Sequence, residues 1–163
     1  MIILGIDPGS QVLGYGVIRI HAGIQTPLTF GELRPKGLFS KRGVEIFSAL
    51  EELIETFRPD GCAIETQFVQ KNPKGALTLG MVRGFAILAA AKAGVPVYEY
   101  APSRVKSSVC SRGHATKDQV KKMVSFYLKI DEKELGDDAS DALAIALCHA
   151  HMSSGTLSKG API

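Results

Sequence analysis

Residues 2–6 form an unbroken apolar run, closed by Asp7 and the turn formers Pro8-Gly9-Ser10. That is the pattern of a short strand buried on both faces. Residues 13–20 predict a second strand, in which Gly14 and Gly16 leave space on one face. Residues 29–33 predict a weaker third. Short, turn-rich links between the three favour antiparallel neighbours. The period then changes. Val44, Phe47, Leu50, Ile54 and Phe57 recur at helical spacing, predicting a helix over 40–57 that stops at Pro59-Asp60-Gly61. Cys62-Ala63-Ile64 gives a short buried strand ending at Glu65. A long helix is predicted over 73–93, with Pro73 in its first turn and Gly94 as its C-terminal cap. A strand over 95–100 follows, then helices over 103–109 and 116–128. The last helix runs from Asp138 to about residue 151 and is apolar almost all round. Three strands followed by strand–helix alternation describe an α/β mixed sheet with helices packed on its faces.

Size and composition fit one domain. The chain has 163 residues, 45% hydrophobic and 21% charged, enough for a single sizeable core and too short for two ordinary ones. Residues 1–151 are expected to form that domain and 152–163 a flexible tail. No membrane association is expected, because unbroken apolar runs fall short of the roughly 18 residues a spanning helix needs. The first residues have no basic region and meet an acid at Asp7, unlike a signal peptide, so cytoplasmic residence is expected. Cys62, Cys110 and Cys148 are odd in number and widely spaced, as reduced thiols would be. Cys148, His149 and His151 offer zinc-type ligands, but one cluster on one helix cannot close a tetrahedral site without a distant fourth.

The net charge of +3 matters less than its distribution. Residues 103–122 hold Arg104, Lys106, Arg112, Lys117, Lys121 and Lys122 against Asp118 alone. That leaves +5 here and −2 for the rest, a local footprint suited to a polyanion. A solvated helix face is the alternative.

The candidate chemistry is acidic. Asp7 and Glu65 each follow a buried strand, at ends that face the ligand crevice in sheets of this kind. Asp138 and Asp141 are spaced i, i+3 on one face of the last helix, beside an apolar stretch where a carboxylate is costly unless paired or metal-bound. Turn and cap roles are open to each acid singly. Spacing alone does not choose between Asp137 and Asp138. Jointly, convergent carboxylates call for a cation. Hard oxygen donors favour Mg²⁺ or Mn²⁺, and paired ions suit in-line phosphoryl displacement.

These motifs resemble a known family. Gly5-Ile6-Asp7-Pro8-Gly9-Ser10 with Gly14-Tyr15-Gly16-Val17-Ile18, Ala63-Ile64-Glu65 with Phe68, Asn72-Pro73-Lys74 with Arg83-Gly84, and Asp138-Ala139-Ser140-Asp141-Ala142 are similar to RuvC Holliday junction resolvases, in order across about residues 1–151. The resemblance implies an RNase H-like mixed five-stranded sheet with helices on both faces. It implies a homodimer that resolves four-way DNA junctions by paired symmetric nicks, leaving 5′-phosphate and 3′-hydroxyl ends, in recombination and repair. It implies two Mg²⁺ per active site, replaceable by Mn²⁺, and action with the RuvA–RuvB branch-migration complex. The acidic centre carries over to Asp7, Glu65, Asp138 and Asp141, which selects Asp138. Lys106 and Lys117 carry over as catalytic-face lysines and Phe68 as the junction-contacting aromatic. Lys71, Lys74, Arg83, Arg104, Arg112 and Lys121 are further expected DNA contacts. Thr66-Gln67-Phe68 departs from the relatives' usual Gln followed by an apolar residue, and bears on how this loop meets bases.

Phe68 in a polar loop can stack on an unpaired base, or fold back onto the core. Ala76, Gly80 and Gly84 form a small-residue stripe that either packs on the sheet or meets a second subunit. Three rival readings are an ATP-binding protein of the actin and sugar-kinase type, a junction binder without nuclease activity, and a nuclease of RNA–DNA hybrids.

Overall fold

The computed structural model describes residues 1–66, 73–154 and 162–163. Its elements run β1 (Ile2–Pro8), β2 (Leu13–His21), β3 (Ile24–Leu33), α1 (Phe39–Phe57), β4 (Gly61–Glu65), α2 (Pro73–Lys92), β5 (Val97–Tyr100), α3 (Pro102–Cys110), α4 (Lys117–Leu128) and α5 (Asp137–Ser154). The five strands lie in the order β3-β2-β1-β4-β5. β1, β2 and β3 are antiparallel, whereas β4 and β5 run parallel to β1. This is the mixed sheet that the sequence pattern predicts.

Strand alternation sorts the side chains between two layers. Leu4, Ile6, Leu13, Val17, Cys62, Ile64 and Val97 pack with α1 and α2 on one face. Ile3, Ile18, Ala63 and Tyr100 pack with α3, α4 and α5 on the other. α5 is the most deeply set helix. Leu143, Ile145 and Leu147 are each at most 1% exposed, and burying each such side chain is worth about 1.5–3 kcal/mol.

α5 reaches this depth because the strands beneath it lack side chains where it crosses. A Cβ at Gly5 would stand 2.1 Å from the Ala142 carbonyl oxygen, and one at Gly14 would stand 1.9 Å from that of Asp138. Gly16 makes room in the same way for the Leu143 side chain. The space predicted at Gly14 and Gly16 is filled by helix backbone and leucine.

β3 begins five residues before the predicted start. Gln25, Thr26 and Pro27 break the apolar alternation, but β3 is an edge strand, where such residues are tolerated. Ala22 (φ 49°) and Gly23 (φ 78°) form the two-residue turn from β2, the geometry that matches strand twist. The register slips between Val17 and Ile18, so that Leu28 bulges and Pro27 opposes Ile18.

α4 opens with a capping box. The Thr116 hydroxyl accepts the Gln119 N–H at 3.3 Å, and the Gln119 side-chain oxygen accepts the Thr116 N–H at 3.0 Å. α5 extends to Ser154. The Ile163 N–H donates to the Val97 carbonyl at 3.0 Å, so the chain terminus lies at the free edge of β5.

In α2, Val82, Ala86, Ala89 and Ala90 are buried against the core. Leu77, Met81 and Leu88 are 67%, 43% and 56% exposed, and nothing lies within 4 Å of a Cβ built at Gly80 or Gly84. The small-residue stripe therefore faces away from the sheet. The stretch Gly75–Lys92, with mean hydropathy 1.3, is long and apolar enough to cross a membrane by length and composition alone. Arg83 interrupts that stretch, and the helix's other face belongs to the core.

Candidate active site

Sheet register assembles the acids. β1 and β4 are parallel neighbours with Ile6 beside Ile64, so Asp7 and Glu65 leave adjacent strand ends at the same level. Both point toward the α5 layer, in line with Gly5 and Ala63. The end of β4 is secured to β5, because the Thr66 N–H and hydroxyl both donate to the Tyr100 carbonyl, at 2.8 and 3.3 Å. Thr66, the departure noted in the sequence, thus fixes the strand end that carries Glu65. The Arg42 guanidinium on α1 donates to the Ser10 carbonyl and braces the loop after Asp7.

Asp7, Glu65 and Asp141 line one cleft of about 300 Å³, together with Lys106, Lys117, Pro102, Val105, Val120 and Ala144. The Lys117 ammonium, from the first turn of α4, lies 2.9 Å from Asp141 Oδ2. Lys106, from α3, is close enough to pull the Glu65 carboxyl pKa down against the larger effect of burial. Asp138 sits at the rim, outside the cleft lining, yet its charge still acts on Asp7.

The electrostatics show too much negative charge. Burial first, then Asp141, Glu65 and Asp138, push the Asp7 carboxyl up to about 7. Burial and Asp141 raise Glu65; burial and Glu32 raise Asp138. Two lysines do not offset this. The hydrogen bond to Asp141 raises Lys117, holding it protonated.

Among the described residues, no group of three or more Asp, Glu, His or Cys side chains is placed so that it could hold a metal ion as it stands. Carboxylates without a shared cation repel one another, and Lys117 occupies one oxygen of Asp141. The donor set nevertheless fits a hard divalent cation, with oxygen ligands, under-compensated charge and a cleft open to solvent. Cys148, His149 and His151 do not form a second centre. His149 Nδ1 lies 2.7 Å from the Tyr100 hydroxyl inside the core, and His151 Nδ1 lies 3.1 Å from the Ser108 carbonyl.

The other expected contacts divide. Arg104 and Arg112 are exposed, on α3 and the following loop. Lys121 pairs with Asp137 at 3.0 Å, and Asp137 is not among the residues lining the cleft. Arg83 is paired with Glu99 of β5 on the α2 face of the sheet, opposite the acids, and is not brought to the cleft. Phe68 and Lys71, and the side chain of Lys74, lie outside the described residues.

Two residues that the sequence reading missed stand beside Asp138. The Asp138 N–H donates to Glu32 Oε1 at 3.2 Å. Arg34 Nη2 lies 2.5 Å from Glu32 Oε2 and 4.0 Å from Asp138 Oδ2. No local motif announces either. Their place emerges only from the register that sets Glu32 opposite Gly14.

Comparison with known proteins gives a consistent match. The family model for crossover junction endodeoxyribonuclease RuvC matches residues 3–149. A protein of that description from Tolumonas auensis is 50% identical over 151 residues, covering 92% of this chain and 87% of the relative. A solved Thermus thermophilus RuvC superposes with a TM-score of 0.89 at 33% identity, covering all of both chains. Another, in complex with Holliday junction substrate, gives 0.89 at 31% identity over the same coverage. The fold is RNase H-like.

Proposed function

This chain belongs to the RuvC family of crossover junction endodeoxyribonucleases, and from that premise we propose that Asp7, Glu65, Asp138 and Asp141 form the centre with which it cuts. The protein is a nuclease that resolves Holliday junctions in DNA recombination and repair. Family membership sets aside the actin-type, non-catalytic and hybrid-nuclease alternatives. The enzyme is metal-dependent and binds junction DNA. The observation that carries the site assignment is the convergence of Asp7, Glu65 and Asp141 in one cleft flanked by Lys106 and Lys117.

Asp7, Glu65, Asp138 and Asp141 would hold Mg²⁺, two ions in all, with Mn²⁺ as a substitute. When bound, such ions neutralise the carboxylates, activate a water and stabilise the leaving oxygen. The protein's own contribution is geometric and electrostatic. Asp7 and Glu65 are fixed by neighbouring strands. Asp141 orients Lys117, whose ammonium is placed to meet a phosphate oxygen as charge develops there. Lys106 serves the Glu65 side of the cleft. Arg104, Arg112 and Lys121 would extend a basic surface along α3, the segment after it and α4 for the DNA backbone, and Phe68, Lys71 and Lys74 would add further DNA contacts.

Residues 1–151 act as a single nuclease domain, in the cytoplasm, alongside RuvA–RuvB. The outward face of α2 serves as the two-fold contact between subunits. Its small residues let two backbones approach, and Leu77, Met81 and Leu88 gain cover. A dimer presents one site to each of two opposed strands.

A synthetic mobile four-way junction tests this reading. With Mg²⁺ the protein should give paired nicks at symmetric positions, and without it none. Linear duplex and RNA–DNA hybrid should remain intact. Equal cutting of linear duplex would refute junction selectivity. Junction affinity should also fall steeply with salt, by about 10³-fold or more between roughly 50 and 200 mM if six phosphates are contacted. A flat salt response would remove α3 and α4 as the DNA face.

A further inference from the structure

The row Asp7–Gly14–Glu32 runs straight across β1, β2 and β3. Residues directly opposite one another share a sheet face, so both carboxylates flank the gap that Gly14 leaves. The first turn of α5 lies in that gap. The Ser140 N–H donates to the Gly136 carbonyl at 2.9 Å, so Gly136 stands at the cap position of α5, where it has no side chain to accept the free N–H groups of the first turn. Glu32 supplies the missing acceptor from 106 residues away, taking the Asp138 N–H at 3.2 Å. The absence of a side chain at Gly136 is what admits it, since a Cβ there would stand 2.3 Å from Glu32 Oε1. Arg34 grips the second oxygen of Glu32 and also approaches Asp138.

We propose that Glu32, held by Arg34, is a positioning residue that fixes the first turn of α5 and thereby sets the Asp138 carboxylate for the metal. Asp138 needs such help. It is the one acid of the four outside the cleft lining, and its side chain is one-third exposed. The cap bond ties its backbone, and the Arg34 guanidinium approaches its carboxylate at 4.0 Å. This inference rests on Asp138 being a metal-holding carboxylate.

Mn²⁺ titrated into metal-free protein, read by loss of the free-ion EPR signal, tests the proposal independently of cleavage. Glu32→Ala should weaken Mn²⁺ binding by about ten-fold, the scale expected when a partner of a metal ligand is lost. Glu32→Gln, whose amide oxygen still accepts the Asp138 N–H but whose amide nitrogen cannot accept from Arg34, should fall between the alanine variant and the unaltered protein. Gly136→Ala keeps every charge but displaces the Glu32 carboxylate, and should behave like Glu32→Ala. It also serves if Glu32→Ala folds poorly, and thermal melts identify that case. A purely structural role would lower the melting temperature without moving the Mn²⁺ affinity of the folded protein. Wild-type affinity in both Glu32→Ala and Gly136→Ala overturns the proposal, as does a Glu32→Gln protein no better than the alanine variant. Asp7→Asn is the reference. If it binds Mn²⁺ normally, the four-acid centre itself is wrong; if it loses Mn²⁺ while the Glu32 and Gly136 variants do not, only the role of Glu32 fails.

Discussion

Asp7→Asn is expected to abolish junction nicking, by at least about 10³-fold, since losing a metal ligand should exceed the 10–100-fold cost of losing its supporting partner. Junction affinity measured without cleavage should be unchanged or slightly improved, because a negative charge near the DNA path is gone. The same substitution should make the metal-free protein more stable at neutral pH. The folded protein holds the Asp7 proton up to about pH 7, whereas the ordinary carboxyl releases it near 3.8. Below about pH 4 both states are protonated and Asp7 imposes no penalty. As pH rises from about 4 to 7 the unfolded chain ionises first and stability falls, by at most about 4 kcal/mol, and that loss persists at higher pH. Asparagine carries no such penalty. Melting curves in chelator should therefore separate the two proteins at about pH 8 and bring them together at about pH 4. Mg²⁺ should stabilise only the unaltered protein. A chelated Asp7→Asn that melts lower than the unaltered protein at neutral pH would contradict the picture of under-compensated acids.

Gly14→Ala carries the second large effect, and it reaches catalysis without touching an ionisable group. The added methyl would lie 1.9 Å from the Asp138 carbonyl oxygen and 2.4 Å from its carbon. Both are backbone atoms, so no side chain can turn aside. The start of α5 must lift by on the order of 1 Å, enough to cost about 100-fold in rate when reacting groups are misplaced by that distance. Overpacking should cost about 1–3 kcal/mol in stability. Junction binding, for which α3 and α4 are the proposed face, should hold within a few-fold. Nicking at the unaltered rate by a folded Gly14→Ala protein would show that the seat of α5 does not set the acids.

Much of this was legible in the chain because it depends on local pattern. The apolar runs ending in Asp7 and Glu65 mark strand ends, and the i, i+3 pair Asp138 and Asp141 marks a helix face. The glycines of β2 signal close approach even before it is known what approaches. The pattern could not report partners brought together by register. Glu32 reads as one more charged residue in a weak strand until β3 is laid against β2. The early part of β3 was missed because an edge strand does not need the apolar alternation that reveals a buried one. Arg83 and Lys121 read as DNA contacts, and their partners Glu99 and Asp137 come from elements that only the tertiary fold sets beside them. The outward turn of Gly80 and Gly84 was one of two open readings, since a small-residue stripe suits a sheet and a partner subunit equally well.

The depth of α5 has a consequence for how this protein fails. Asp138 and Asp141 stand at the head of the helix that closes one whole layer of the core, not on a loop that can open alone. Partial opening draws on regions with few buried contacts, and the body of α5 is not one of them. The cutting apparatus and the folded state should therefore be lost in a single step under heat or denaturant. A molecule stressed by heat or denaturant would be either competent or wholly unfolded, in contrast to the substituted proteins above, which stay folded and lose only the cut.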